Sequence, residues 1–233
     1  INATNQSIVA WCWKAGGAAV SNTDGDITSQ VSANQDAGFS IVKASLPTNG
    51  ASNGDTIGHG LDTQPELIIY KATSISLNWY IFSEYGGSLL GNNNVLKFTA
   101  DAATSDSFFD ITPTTFKVGS TNTAHDFIAY CFHSVDGYQK VGSYSGDGTS
   151  SNTVTTGFRP RFVMYKNAGL STAWVIIDSV RGAGTNGKYL FANTSGAEGT
   201  YTILDFTDTG FILRDTDNTT NGSGSTYIYL AIA

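Results

Sequence analysis

Hydrolysis of a glycosidic bond asks for two carboxyl groups about 5–10 Å apart, one of them commonly a glutamic acid kept protonated by its surroundings. The chain has three glutamates, Glu66, Glu84 and Glu198. In the internal repeat set out below, Glu84 falls on Ser179 and Asp178 on Ser83, so no acidic pair recurs between the copies. No catalytic carboxylate pair is expected. Histidines 59, 125 and 133 are scattered without the spacing of metal ligands on one element; His59, in "IGHG", reads as a turn residue replaced by Thr156 in the other copy. Serines are plentiful, yet no G-x-S-x-G elbow presents one as a nucleophile. An enzyme is not expected.

Binding chemistry has more to recommend it. In "RDTDNTTNG" (214–222) the alternating oxygens of Asp215, Asp217 and Asn221 could gather round a hard cation such as calcium, although the bidentate glutamate of an EF-hand loop is missing and Asx-rich stretches also make ordinary turns. The turn is the favoured reading, and no cofactor is expected, calcium being the possible one. "SGDGTS" (145–150) has the glycines of a phosphate loop without its lysine and helix, and reads as a hairpin turn. Aromatic residues make up 12% of the chain. Tyr85, Tyr144 and Tyr201 stand in or beside polar loops, where side chains free of packing duty can vary for binding. With Asn92, Asn93 and Asn94 of "GGSLLGNNN" and Arg181 of "VRGAGTNGK", they form a candidate set for stacking on and hydrogen-bonding a glycan. Trp79 and Trp174 recur at equivalent positions, which predicts a core role for both.

The elements that position such residues are bounded by composition. With 233 residues the chain can bury a substantial core. Only 13% of residues are charged, and Gly, Ser, Thr and Asn crowd the stretches between short apolar runs, so the surface is neutral and polar. A net charge of −7 with no basic cluster argues against nucleic acid as a partner. No apolar run approaches the ~18 residues of a membrane span, and the first residues lack a basic segment followed by an apolar one. An apolar run close to Ile1 suggests a processed chain or a piece of a longer one. Cys12 and Cys131 occupy the same place in a recurring word and are expected to be small buried hydrophobes, a disulfide between them being the alternative.

That word is "VAWCW" (9–13), "IAYCF" (128–132) and "IYLAI" (228–232). A longer correspondence runs at an offset of 95: Pro65 on Pro160, Tyr70 and Lys71 on Tyr165 and Lys166, Trp79 on Trp174, and Phe116 on Phe211, while Gly38 falls on Gly137. The expected organisation is the terminal strand of a preceding copy plus linker (1–37), a first repeat (38–136) and a second (137–233). A period of this length exceeds that of solenoid units, about 20–50 residues.

Short runs rich in aromatic and β-branched residues, Leu67 to Tyr70, Trp79 to Phe82, Val95 to Phe98, Thr115 to Val118 and Phe127 to Phe132, have counterparts in the second copy and are separated by Gly/Asn/Asp/Ser turns. Helical periodicity is absent, with one turn at most over 99–109 and 192–202. The predicted fold is all-β: an antiparallel sandwich, jelly-roll or lectin-like, in two tandem homologous repeats. In "PRFVMYK" (160–166) Phe162 and Met164 share one face and Val163 and Tyr165 the other, so this strand is predicted to be central and covered on both sides.

The segments "AWCWKAGG", "GFSIV…TIGHGL…P…IIYK", "FIAYCFHSVDGYQKVGSYSGDG" and "TGFRPRFVMYK…WVIIDSVR" together resemble a repeat family of tail-fibre and other virion structural proteins of marine bacteriophages and cyanophages. Asp62 and Thr63 stand where that family more often has glycine, and "YIYLAIA" lacks its usual aromatic end. The resemblance implies β-sandwich modules displayed on the virion, other virion proteins as partners, homo-oligomeric (trimeric) assembly and recognition of a host surface polysaccharide or protein. It brings no catalytic residues. The leading expectation is therefore a non-enzymatic adhesion module, with a structural spacer, capsid decoration or head-fibre unit as the alternative and a polysaccharide depolymerase third.

Overall fold

A strand with apolar residues on both faces must lie between two layers, and the central strands of both copies have this property. The computed structural model describes residues 8–48, 54–85, 94–105, 109–118, 123–182 and 184–233. The first eleven strands are β1 (Val20–Asn22), β2 (Ser29–Asn34), β3 (Phe39–Leu46), β4 (Thr56–Gly58), β5 (Leu67–Ala72), β6 (Tyr80–Ser83), β7 (Asn94–Lys97), β8 (Thr104–Ser105), β9 (Phe109–Ile111), β10 (Thr115–Val118) and β11 (His125–Phe132). They form an eight-stranded sheet in the order β1-β2-β3-β11-β5-β6-β7-β8 and a three-stranded sheet β4-β10-β9. The remaining strands are β12 (Gln139–Ser145), β13 (Thr153–Thr155), β14 (Phe162–Asn167), β15 (Val175–Asp178), β16 (Lys188–Phe191), β17 (Gly199–Thr200), β18 (Leu204–Thr207), β19 (Gly210–Leu213) and β20 (Thr226–Ile232). They repeat the arrangement as a six-stranded sheet β12-β20-β14-β15-β16-β17 and a three-stranded sheet β13-β19-β18. Every ladder between named strands is antiparallel, and the one described helical element is the single 3-10 turn Gln35–Ala37.

Alternation along the strands sorts side chains into three cores. Ile68, Tyr70, Phe127, Ala129 and Cys131 of the large first sheet meet Ile57, Phe116 and Val118 of its small partner. Val163, Tyr165, Tyr227 and Tyr229 likewise meet Leu204, Phe211 and Leu213 in the second unit. The opposite faces of the two large sheets bury each other: Phe39, Leu67, Ile69, Ile81 and Phe132 pack with Phe162, Met164, Trp174, Ile176 and Leu230. The molecule is thus a back-to-back pair of sandwiches, four sheets deep. Hydrogen bonds stitch the middle seam: the Trp174 indole N–H donates to Lys97 O (2.8 Å), Ala103 N to Ala168 O (2.9 Å) and Gln139 Nε2 to Gly38 O (3.1 Å).

The amino-terminal region departs from expectation. Residues 9–13, read as a strand, join no ladder among the described residues; their alternate side chains Trp11 and Trp13 are set edge-on against Phe162 at 5.7 and 5.5 Å. Residues 20–34, read as linker, contribute β1 and β2 to the edge of the first large sheet. Cys12, at the alternate position, is consequently exposed, whereas Cys131 is buried; both are free thiols, and burial pushes the Cys131 thiol up to about 12.

Equivalent residues hold equivalent turns where the local chain is the same. Gly38 and Gly137, each just ahead of its unit's first long strand, both take positive φ. Lys71 Nζ donates to Leu77 O, and Lys166 Nζ to Leu170 O (2.7 Å) and Asn167 O (2.5 Å), so in each copy a lysine ties down the loop to the next strand. The buried Tyr70 hydroxyl bonds His125 Nε2 (2.5 Å); in the second unit Tyr165 meets the Thr220 hydroxyl instead (3.2 Å). The tryptophans part company. Trp174 is 1% exposed, as predicted, but Trp79 is 38% exposed.

Two outcomes are expected. Trp174→Ala should lose about 3–5 kcal/mol of stability, while Trp79→Ala should lose about 1 kcal/mol or less; equal losses in urea denaturation would contradict the asymmetry. Burial lowers the Lys166 pKa to about 8 from 10.5. Between those values the unfolded chain still holds a proton that the folded chain has released, so stability rises with pH through this window. The wild-type denaturation midpoint should climb from pH 8 toward 9.5, and Lys166→Met should flatten that climb.

Candidate functional site

Where the edge of the six-stranded sheet meets the loop after β19, the two sheets of the second unit gape and leave a cleft of about 300 Å³. Tyr189 and Phe191 of β16 form one wall, their ring centroids 5.2 Å apart. The hydroxyl end of the Tyr189 ring lies over Gly199 of the pairing strand β17: a Cβ there would stand 2.3 Å from Cζ, so a larger residue would push the ring aside. Tyr201, just past β17, is 54% exposed at the rim. Asp215, Asp217, Thr219 and Thr220 form the opposite wall.

The acid loop is a self-capped turn. Asp217 Oδ1 accepts from the backbone N–H groups of Thr219 (2.7 Å) and Thr220 (3.1 Å), and Asp215 Oδ2 accepts from the Thr220 hydroxyl (3.2 Å). Among the described residues neither carboxylate forms an ion pair, so two negative charges with spare lone pairs face three aromatic rings. Arg214, their neighbour, is spent on Asp205 at 2.6 Å.

Asn221 does not join them. Its side chain is buried and fully engaged elsewhere, accepting from Asp147 N and Asn152 Nδ2 and donating to Asp147 Oδ1 and Thr149 O. The structure therefore does not bring Asn221 together with Asp215 and Asp217, and among the described residues no group of three or more His, Cys, Asp or Glu could hold a metal ion.

The other sequence candidates are dispersed. Tyr144, taken for a loop residue, is the sixth residue of β12 and points into the core, stacked on Tyr227 at 4.7 Å with its hydroxyl on Thr220 O. It is unavailable to a ligand, and burial raises its pKa well above the ordinary value. Tyr85 is half-buried and donates to Glu66 Oε1 (2.5 Å), whose other oxygen holds the backbone and hydroxyl of Ser134; it is a strut, and burial with Glu66 nearby raises its pKa. Arg181 is bidentate to Asp178 Oδ2 (2.8 and 2.6 Å), pairs with Glu198 and lies 5.4 Å over the Trp11 ring, so its guanidinium ties residues 178–182 to the amino-terminal segment. Asn94 begins β7, and Asn92 and Asn93 lie outside the described residues. The three histidines lie on separate elements, His125 bonded to the Tyr70 hydroxyl and Thr123 O and His133 to Ser134 O. His59, expected in a turn, is wholly buried, accepts from Leu61 N at Nδ1 and meets Thr112 O through Nε2, and burial lowers its pKa.

A second concavity, of about 440 Å³, opens in the middle seam. Aromatic and aliphatic residues line it, with Trp79, Phe98 and Ala192 at its mouth; Asn193, Thr194 and Ser195 continue outward from there. Sequence reasoning missed this cavity. Its signal was the pair Trp11 and Trp13 in a segment that follows the strand pattern of the repeats and yet has no partner strand in its own unit.

A family model described as a domain of unknown function (DUF7483) matches residues 1–233, and the chain belongs to that family. No curated protein and no solved structure matches it.

Because the acid loop is closed by its own hydrogen bonds, the melting temperature is expected to stay within about 1 °C on adding millimolar calcium or a chelator, whereas Asn221→Ala, which strands Asp147 and Asn152, should cost about 2–3 kcal/mol. A calcium-dependent rise of several degrees in a calorimetric scan would restore the metal reading.

Proposed function

We propose that this member of the DUF7483 family is a non-enzymatic adhesion module of a phage virion, which holds a host-surface saccharide in the cleft between Tyr189, Phe191, Tyr201 and the loop of Asp215 and Asp217. The observation that carries the reading is the exposed Tyr201 ring facing hydroxyl and carboxylate acceptors across a cleft of saccharide size. Aromatic faces cover the apolar C–H faces of a sugar ring, while carboxylates accept from its hydroxyls, the two demands that a saccharide makes of a protein. Non-enzymatic action is supported by the structural duties of the acids: outside the cleft Glu66 holds Tyr85 and Ser134, Glu198 and Asp178 hold Arg181 and Asp205 holds Arg214, while within it Asp217 is tied to the backbone N–H groups of Thr219 and Thr220 and Asp215 to the Thr220 hydroxyl. Placement on a virion, virion proteins as partners and trimeric assembly rest on the resemblance of the repeated segments alone.

The spacer or capsid-decoration reading is favoured by a different observation, the continuous buried seam that fuses the two units into one thick block. It differs in needing no ligand.

Neutral oligosaccharides of a host surface are expected to bind, and uronic-acid oligomers to bind at least about tenfold more weakly at pH 7, since two unpaired carboxylates repel them. Tyr201→Ala should weaken neutral-sugar binding by about tenfold, or ~1.4 kcal/mol of stacking, without changing the melting temperature. An empty glycan array and an empty host-cell pull-down together would select the spacer, and unchanged affinity in Tyr201→Ala would move the site elsewhere.

A further inference from the structure

The seam cavity takes no part in the saccharide reading and stands independently of it. Its volume, about 440 Å³, lies within the range of small-molecule sites. The floor is Ile69, Phe162, Met164 and Leu230, contributed by both large sheets, and Trp11 and Trp13 close one side. Among the described residues no charged side chain lines it. At the mouth, Trp79 stands edge-on to Phe98 with centroids 6.0 Å apart, and the outward continuation along Asn193, Thr194 and Ser195 is polar and uncharged.

These features restrict the occupant. An ionised group would lose its hydration and find no countercharge among the lining residues. A sugar would bring several hydroxyls to a wall whose polar atoms are limited to the Tyr130 hydroxyl and indole N–H groups, leaving most of them unpaired. Walls with open space between them forgo the dispersion contacts that hydrocarbon would restore.

We infer that the seam cavity between the two large sheets binds an uncharged amphiphile with one hydrocarbon chain, the chain lying between Trp13, Ile69, Phe162 and Met164 and its polar end in the uncharged groove along Asn193, Thr194 and Ser195. Ala192 is the gatepost: it is exposed, its side chain lines both the cavity and the outer groove, and its backbone N–H is already on Trp174 O, so a bulky side chain there blocks the mouth and leaves the core in place.

The probe is the series of primary n-alkanols from hexanol to decanol, followed by calorimetry and tryptophan fluorescence on the whole chain. Saturable binding of one molecule per chain is expected, tightening about fourfold per methylene until the cavity is full. A terminally brominated alkanol should quench indole emission with the same saturation. Ala192→Trp should abolish binding at an unchanged melting temperature, and the matching alkanoates and alkylammonium ions should bind at least tenfold more weakly. Absence of saturation up to the solubility limit, affinity independent of chain length, equal binding of the charged analogues, or undiminished binding by a folded Ala192→Trp would each overturn the proposal. Should Ala192→Trp fail to fold, the wild-type quenching titration decides alone, and no quenching overturns it.

Discussion

Burial of two apolar sheet faces against each other is the constraint on which the remainder of the structure depends. β5 and β11 of the first unit and β14 and β20 of the second carry large apolar side chains on both faces, because each has a small sheet on one side and the other unit's large sheet on the other. Neither large sheet could face water on its seam side, since Phe39, Leu67, Ile69 and Phe132, or Phe162, Met164 and Leu230, would form an exposed apolar patch of the kind that drives association. The duplication supplies its own solution: each copy covers the other.

That arrangement separates what the copies share from what they do not. Residues of the two inner sandwich cores are alike because both copies have the same small sheet to meet, as with Phe116 and Phe211 or Tyr70 and Tyr165. The seam is different, since copy faces copy and the two sides need complementary shapes. Trp174 fills its side and bonds Lys97 O, and the equivalent Trp79 is left at the mouth of a cavity. The longer chain before β20 likewise puts Thr220 where the first unit uses His125, and the same chain carries the acid loop of the cleft. Both concavities arise where the copies differ.

Among the candidate binding residues, legibility followed backbone pairing. Tyr201, Asp215 and Asp217 come together because the ends of two sheets do, although β18 and β19 separate them in the chain. Tyr144 looked like a loop residue because "SYSGDG" is a turn signal; the ladder with β20 runs on to Ser145, so the tyrosine alternates inward one residue before the turn. Arg181 and Tyr85 are in loops, as their surroundings said, yet each found a carboxylate of its own chain, which one-dimensional reading does not disclose. Cys12 and Cys131 occupy like places in the recurring word and differ in burial because one lies in a ladder and the other in an unpaired segment.

By itself the sequence determined the all-β class, the positions of most strands and the two-faced character of the central ones, because side-chain alternation and turn residues act over a few neighbours and need no knowledge of distant chain. Tertiary structure alone decided which outer faces meet, that residues 9–13 lie across the seam outside the described ladders, that Asn221 is held apart from Asp215 and Asp217, and that the Tyr189–Asp217 cleft and the seam cavity form. Those outcomes depend on contacts between residues far apart in the chain, and a repeat seen in sequence says that its copies fold alike without saying how they face one another.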